Sequence, residues 1–287
     1  MTTTSEHPGI HSPELARKMW RTLEPYHGIV YFTPHAEIAY AKLGIEGRDG
    51  YFASRSAPLG AASAELVIST FYNFHPGLVR HAIPATWEKA SPEAILAARL
   101  SAADAALREI LGEAITGDEV TEAAMLAERA ARNASIVGRP LFAAHATLPW
   151  PEEPHLALWH AITLLREFRG DGHIAALVVE EIDGCEALIT HGGANADGIS
   201  LDVLRRSRAW PEAEWAAAGR RLKERGLFDG ERLTAEGSSL RDRVESMTDS
   251  AATQAWSVIS AEEAERLRAL VRPWSRAIAE SGVFGLR

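Results

Sequence analysis

LKERGLFDGERLTAEGSSLRDRVESMTD, residues 222–249, holds the densest run of structural signals in the chain. It begins as the end of a helix that Gly226 stops, because glycine tolerates the left-handed conformation that closes helices. Asp229-Gly230 is a tight-turn pair of the kind that joins two antiparallel strands, and it predicts a short β-hairpin over residues 227–233. Thr234, ahead of Ala235-Glu236-Gly237, reads as the N-cap of a long helix, since its hydroxyl can accept an orphan backbone N–H. Trp210-Pro211-Glu212 is a capped start for a helix over 213–225, and a shorter helix precedes it over 201–207. The run GGANADG at 192–198 is a linker candidate by its glycines and small polar residues. It divides the chain into a helical part, 1–192, and a second part, 199–287.

Upstream, alanine is abundant and β-branched runs are rare, which favours helix. Ser12-Pro13-Glu14 opens a helix over 13–23, and Ser91-Pro92-Glu93 opens one that runs through Leu111. Further helices are expected over 35–43, 61–74 and 119–135, whereas GYFASRSAPLG at 50–60 reads as strand or loop. A helix over 153–168 is followed by Arg169-Gly170-Asp171-Gly172, which predicts a break and a new helix opening at His173. His35 after Pro34 and His173 after Gly172, each downstream of a tryptophan helix (Trp20, Trp159), form a weak internal echo. That echo suggests a degenerate, duplicated helix-turn-helix unit. The fold class expected is mainly α: a helical N-terminal domain followed by a C-terminal unit of helices and one short β-hairpin.

The stretch 199–250 resembles the recognition-helix, wing and dimer-helix region of MarR-like regulators. With YFASRSAPLG, FYNFHP and LLREFRGDGH upstream, the whole chain is similar to a SalK-like actinobacterial helix-turn-helix family. The resemblance implies a C-terminal winged helix, a regulatory role and a homodimer paired through terminal helices. It also implies that the helix over 214–225 enters the DNA major groove, with Arg220, Arg221, Lys223 and Arg232 as the DNA-contacting residues.

Charge argues against a strong DNA footprint. The chain carries a formal net charge of −9, and duplex-binding proteins usually present a basic face. Over 199–250 ten basic residues stand against ten acidic ones, and Glu212 and Glu214 sit where phosphates would approach. DNA is therefore a disfavoured partner at this stage.

The helix over 153–168 is apolar around its whole circumference, through Leu156, Leu158, Trp159, Ile162, Leu164, Leu165 and Phe168, and so is expected to be buried. His160, Thr163 and Glu167 fall on one of its faces; Trp159, Arg166 and Arg169 lie along a neighbouring stripe. Buried ionisable groups cost several kcal/mol unless paired. The plain structural reading is an internal ion pair of Arg166 or Glu167 with Glu24 or Arg55. The functional reading is a ligand pocket, with His173 at a helix N-terminus where the dipole favours anions. Candidate ligand-binding residues are His27, Tyr31, Phe32, His35, Arg55, Tyr72, Asn73, His75, Trp159, Thr163, Arg166 and Arg169. Aromatic walls with few polar groups describe a pocket and equally a core with satisfied histidines.

Neither phosphate-cradling glycine motifs, a nucleophile elbow nor paired metal-ligand histidines occur, so no cofactor is named and no metal is expected. The single cysteine, Cys185, excludes an internal disulfide. Met1 to Gly9 has no leader pattern, and no apolar run is long enough to span a bilayer, which predicts a cytoplasmic protein without a membrane partner. A small-molecule-binding protein on a regulator scaffold, acting as a sensor or by sequestration, is the leading reading. The alternatives are an enzyme using His160, Glu167 and His173 in acid–base work, and a DNA-binding regulator.

Overall fold

A computed structural model describes residues 12–194 and 200–285. Residues 195–198 of the expected linker, and Ile199 with which the second part begins, lie outside the described residues. The helices are α1 (Pro13–Gly28), α2 (Pro34–Ala41), α3 (Asp49–Ser56), α4 (Ala64–Phe71), α5 (Pro76–Ala82), α6 (Ala85–Lys89), α7 (Pro92–Leu111) and α8 (Asp118–Asn133). They continue as α9 (Pro140–Ala146), α10 (Pro154–Val179), α11 (Gly184–Gly193), α12 (Leu201–Ser207), α13 (Glu212–Glu224), α14 (Ala235–Trp256) and α15 (Ala261–Glu280).

Local chemistry starts most of these helices where the sequence says. The side chains of Ser12, Ser91, Ser200, Thr234 and Ser260 each accept a first-turn N–H, and proline follows at the first position of α1 and α7. Packing then arranges them. α10 is the axis of the molecule, with α8, α14, α1 and α9 around it, while α15 lies along α1 and α8. Its seven large apolar residues named above are all buried, each contributing on the order of 1.5–3 kcal/mol by leaving water. Trp256 and Trp274, on α14 and α15, are buried in this same core. A second core joins Leu177 and Ile182 to Leu222, Leu227, Phe228, Leu240 and Val244, and seats α11, α12 and α13 together.

Three expectations are corrected. Among the described residues there is no β-strand and no hairpin ladder, so the winged helix is absent. Residues 228–233 form a turn with a single antiparallel bridge, Phe228 to Leu233. Its cause is local: the Asp229 carboxylate accepts the N–H groups of Glu231 and Arg232, both at 2.7 Å. Gly226, just past the end of α13, and Thr234, capping α14, stand immediately outside, so no residues remain to extend a pair of strands.

The segment 50–60 is not extended either: Asp49–Ser56 is α3 and Ala57–Leu59 a 3-10 turn. Its serines donate back into the helix, Ser56 Oγ to the Phe52 carbonyl at 2.6 Å and Ser54 Oγ to the Tyr51 carbonyl at 3.4 Å.

The expected break at 169–172 does not occur, because α10 runs through it to Val179. Two helical glycines cost about 1 kcal/mol each relative to alanine, but other elements press close on α10 here. A Cβ on Gly172 would lie 2.5 Å from Arg139 Nη1, and Arg139 donates to the carbonyls of Phe168 and Ala251. Asp171 accepts the Phe142 N–H of α9 at 2.9 Å. His173 is therefore inside a helix, not at its N-terminus, and the echo with His35 that suggested a duplicated unit dissolves.

One glycine fixes the close approach of α11 to the end of α4. Gly184 starts α11, and a Cβ there would stand 2.1 Å from the Tyr72 carbonyl oxygen. Neither backbone can yield cheaply, so Gly184→Ala should destabilise the fold by about 1–3 kcal/mol, read as a lower urea midpoint. An unchanged midpoint would mean that the two segments are not held in register.

Candidate functional site

The buried charges of α10 meet side chains from six other helices around a cavity of about 350 Å³. Glu167 is fully buried and accepts from Arg55 of α3 in bidentate fashion, Nε to Oε1 at 3.0 Å and Nη2 to Oε2 at 2.8 Å. Arg166 Nη1 donates to the same carboxylate at 2.9 Å, and its Nε lies 3.7 Å from Glu24. Burial alone would raise the Glu167 carboxyl, but Arg166 and Arg55 outweigh it and hold it well below the usual carboxylate range. One turn further on, Arg169 reaches Asp249 at 2.9 Å and Glu245 at 3.3 Å, and stacks 4.2 Å over Trp20. The plain ion-pair reading of Arg166 and Glu167 with Glu24 and Arg55 is thus what the chain forms.

The cavity lies on the far side of these pairs. Five arginines line it, Arg55, Arg166, Arg169, Arg208 and Arg241, with His173 and His191, against the carboxylates of Asp171 and Glu245. Its apolar walls include Trp20, Phe71, Phe74, Leu177 and Leu204. Arg208 differs from the other four. Its guanidinium sits 4.7 Å over the Phe74 ring, its Nε has no hydrogen-bond partner, and no carboxylate among the described residues pairs with it. His173 Nδ1 is 2.9 Å from Thr248 Oγ1. That hydroxyl donates to the Val244 carbonyl, so the imidazole N–H points at Thr248 and Nε2 keeps a lone pair. Burial, helped by Arg241, pushes the His173 pKa down to about 4. Burial pushes Asp171 the other way, up to about 6.

The remaining expected residues are dispersed. Tyr72 and Asn73 line the same cavity, and Tyr72 closes α4 with a left-handed φ of 57°. Trp159, His160 and Thr163 border a second, apolar cavity. His160 and Glu167 are seven residues apart on one helix, roughly 10 Å along its axis, and His173 is roughly 9 Å beyond; each has separate surroundings. His27 is buried against Thr163, Nδ1 to Oγ1 at 3.0 Å. Tyr31 and Phe32 edge a third hollow, and Phe32 is 56% exposed with its ring against Phe284. His35 pairs with Glu109 at the surface. His75 caps α5 by accepting the Gly77 N–H at 3.1 Å. Among the described residues no group of three His, Cys, Asp or Glu side chains could hold a metal ion.

α12, the four-residue turn 208–211 and α13 make a helix, turn and helix unit whose two helices both pack on α11. Residues 16–285 match a helix-turn-helix family. The chain belongs to that family. No curated protein and no solved structure matches it. Within the unit Arg221 is engaged by Asp183 and Glu186, the capping pair of α11, and Arg225 donates to the carbonyls of Glu180 and Glu181. Arg220, Lys223 and Arg232 are exposed and pair with no carboxylate among the described residues. No helix of the described residues is long and apolar enough to cross a membrane.

The turn 208–211 is tied to the cavity wall. His75 N–H donates to the Arg208 carbonyl at 3.0 Å, and the Trp210 indole donates to the Asn73 carbonyl at 3.0 Å. Sequence reasoning missed Arg208, because an arginine in a turn carries no burial pattern. It also missed Arg99, for which a signal existed: it shares one face of α7 with Ile95, Ala102, Ala103 and Ala106, all buried.

Proposed function

We propose that this family member is a ligand-responsive regulator in which a small anion, bound in the arginine-lined cavity, sets the position of the helix-turn-helix. One observation supports the reading above the rest: Arg208, a cation without a carboxylate partner, lines the cavity with its side chain and forms the α12–α13 turn with its backbone. An anion that engages the Arg208 guanidinium would supply the missing charge partner. It would also bear on Asn73 and His75, which hold the same turn from the other side. On this reading the helical part up to 192 supplies most of the pocket and the part from 199 onward responds. Binding one state better than another is what a ligand needs to shift an equilibrium. The similarity to SalK-like regulators fits this scheme. The DNA face would be the exposed side of α13 with Arg220 and Lys223, a modest basic patch whose binding should weaken as salt rises.

The test is a titration of citrate, succinate and inorganic phosphate into wild type and Arg208→Ala, followed by melting temperature. At least one anion should raise the wild-type melting temperature, and Arg208→Ala should weaken that anion at least tenfold, about 1.4 kcal/mol, without lowering the melting temperature of the free protein. Duplexes selected from a random pool at low salt should then be retained or released according to the anion present. If no anion shifts the melting curve, or Arg208→Ala binds as wild type does, the reading fails.

A further inference from the structure

The second cavity, about 460 Å³, lies between α7, α10 and the loop 147–153, away from the arginine-lined one. Leu96, Leu100, Leu148, Pro149 and Pro151 make its walls apolar. At its inner end stands Arg99, 2% exposed. Its Nη1 meets His145 Nε2 at 3.1 Å, its Nη2 donates to Tyr31 OH at 3.1 Å, and its guanidinium lies 5.1 Å over the Trp159 ring. The Nε has no partner, and no carboxylate among the described residues pairs with this arginine. His145 supplies no negative charge: its Nδ1 bonds to the Leu141 carbonyl, leaving Nε2 to accept from Arg99, and burial pushes its pKa down to about 3. Glu93, at the rim, is held by Ser91 and its own backbone at the start of α7. His160 also lines this cavity, with its Nε2 buried and unpartnered.

A buried guanidinium without a counter-ion is costly, and a cavity of this size lies in the usual range for small-molecule ligands, about 300–1,000 Å³. We infer that the cavity binds a small carboxylic acid with an apolar, aromatic or aliphatic body, whose carboxylate is the missing counter-ion of Arg99. The apolar body fills the space between the leucines and prolines. The carboxylate pairs with the Arg99 guanidinium at the inner end, beside the His160 ring. This is a site separate from the one proposed for the regulatory anion and does not depend on it.

The experiment is isothermal titration with three matched pairs: naphthalene-2-carboxylate and naphthalene-2-methanol, benzoate and benzyl alcohol, decanoate and decanol. At least one acid should bind, tenfold or more tighter than its alcohol. Arg99→Gln should bring that acid down to the level of its alcohol, while Arg99→Lys should restore part of the difference. Leu96→Trp, at a half-buried wall position, should abolish binding of both members of the pair while urea unfolding shows the variant still folded. Arg208→Ala should leave it unchanged. The proposal is overturned if no acid binds, if acid and alcohol bind alike, if binding survives Leu96→Trp, or if Arg208→Ala removes it.

Discussion

Glu167→Gln should destabilise the protein by about 3–5 kcal/mol, the range for breaking a buried ion pair from one side. Glu167 is fully buried and takes three charge-assisted hydrogen bonds, two from Arg55 and one from Arg166. The amide keeps the shape but not the charge. Arg166 retains Glu24, whereas Arg55 is left with the Tyr51 hydroxyl at 3.3 Å and the face of Phe71. The loss would be a large part of a total stability that for most domains is about 5–15 kcal/mol. A control separates the charge effect from packing. Arg55→Met with Glu167→Met removes both charges, and apolar replacement of a whole buried pair is often close to neutral. The double variant should therefore lose clearly less than Glu167→Gln alone. Urea unfolding of the three proteins decides it: a loss under about 1 kcal/mol for Glu167→Gln, or a double variant that is no better, would remove Glu167 from the centre of the fold.

That pair was within reach of the sequence. An apolar helix with Arg166 and Glu167 on it implies burial, burial implies pairing, and Glu24 and Arg55 were the natural partners; each step is local or follows from charge. Helix starts were equally legible, since Ser12, Ser91 and Thr234 act on N–H groups two or three residues away. The misses are long-range. Nothing near Gly170-Asp171-Gly172 announces that Arg139 will fill the space Gly172 leaves or that Phe142 will donate its N–H to Asp171. The Asp229-Gly230 signal was sound as a turn. It failed as a hairpin because Gly226 and Thr234 had already assigned its flanks to helices. Arg208 became part of a cavity only when α4 and α10 were brought to it, and no spacing in the chain expresses that.

Acid should unfold this protein early, between about pH 6.5 and 4, because its buried histidines are held neutral. Burial is the main cause in every case. It pushes His145 down to about 3, with Arg99 adding to the shift, and His160 to about 4, again with Arg99. His173 falls to about 4 with Arg241 beside it, and His27 goes well below its usual value with Arg166 nearby. In each, the folded-state pKa lies below the unfolded one. The stability these groups confer is complete above pH 6.5 and is lost as the unfolded chain takes up protons that the folded chain refuses. At pH 5 that loss is about 2 kcal/mol for each of His145, His160 and His173, taking about 6.5 for the unfolded imidazole. Asp171, raised to about 6 by burial, works in the opposite sense: its folded form prefers the proton, so acidification returns about 1 kcal/mol over the same interval. The histidines win by number. Urea unfolding at pH 7.5 and pH 5 should show a fall of several kcal/mol, and His173→Gln should lose about 2 kcal/mol less than wild type between those two pH values, because one proton-accepting imidazole has gone from the unfolded chain. A midpoint that stays constant from pH 7.5 to 5 would mean that these histidines are open to protonation in the folded state, and with it the account of neutral imidazoles lining both cavities would fall.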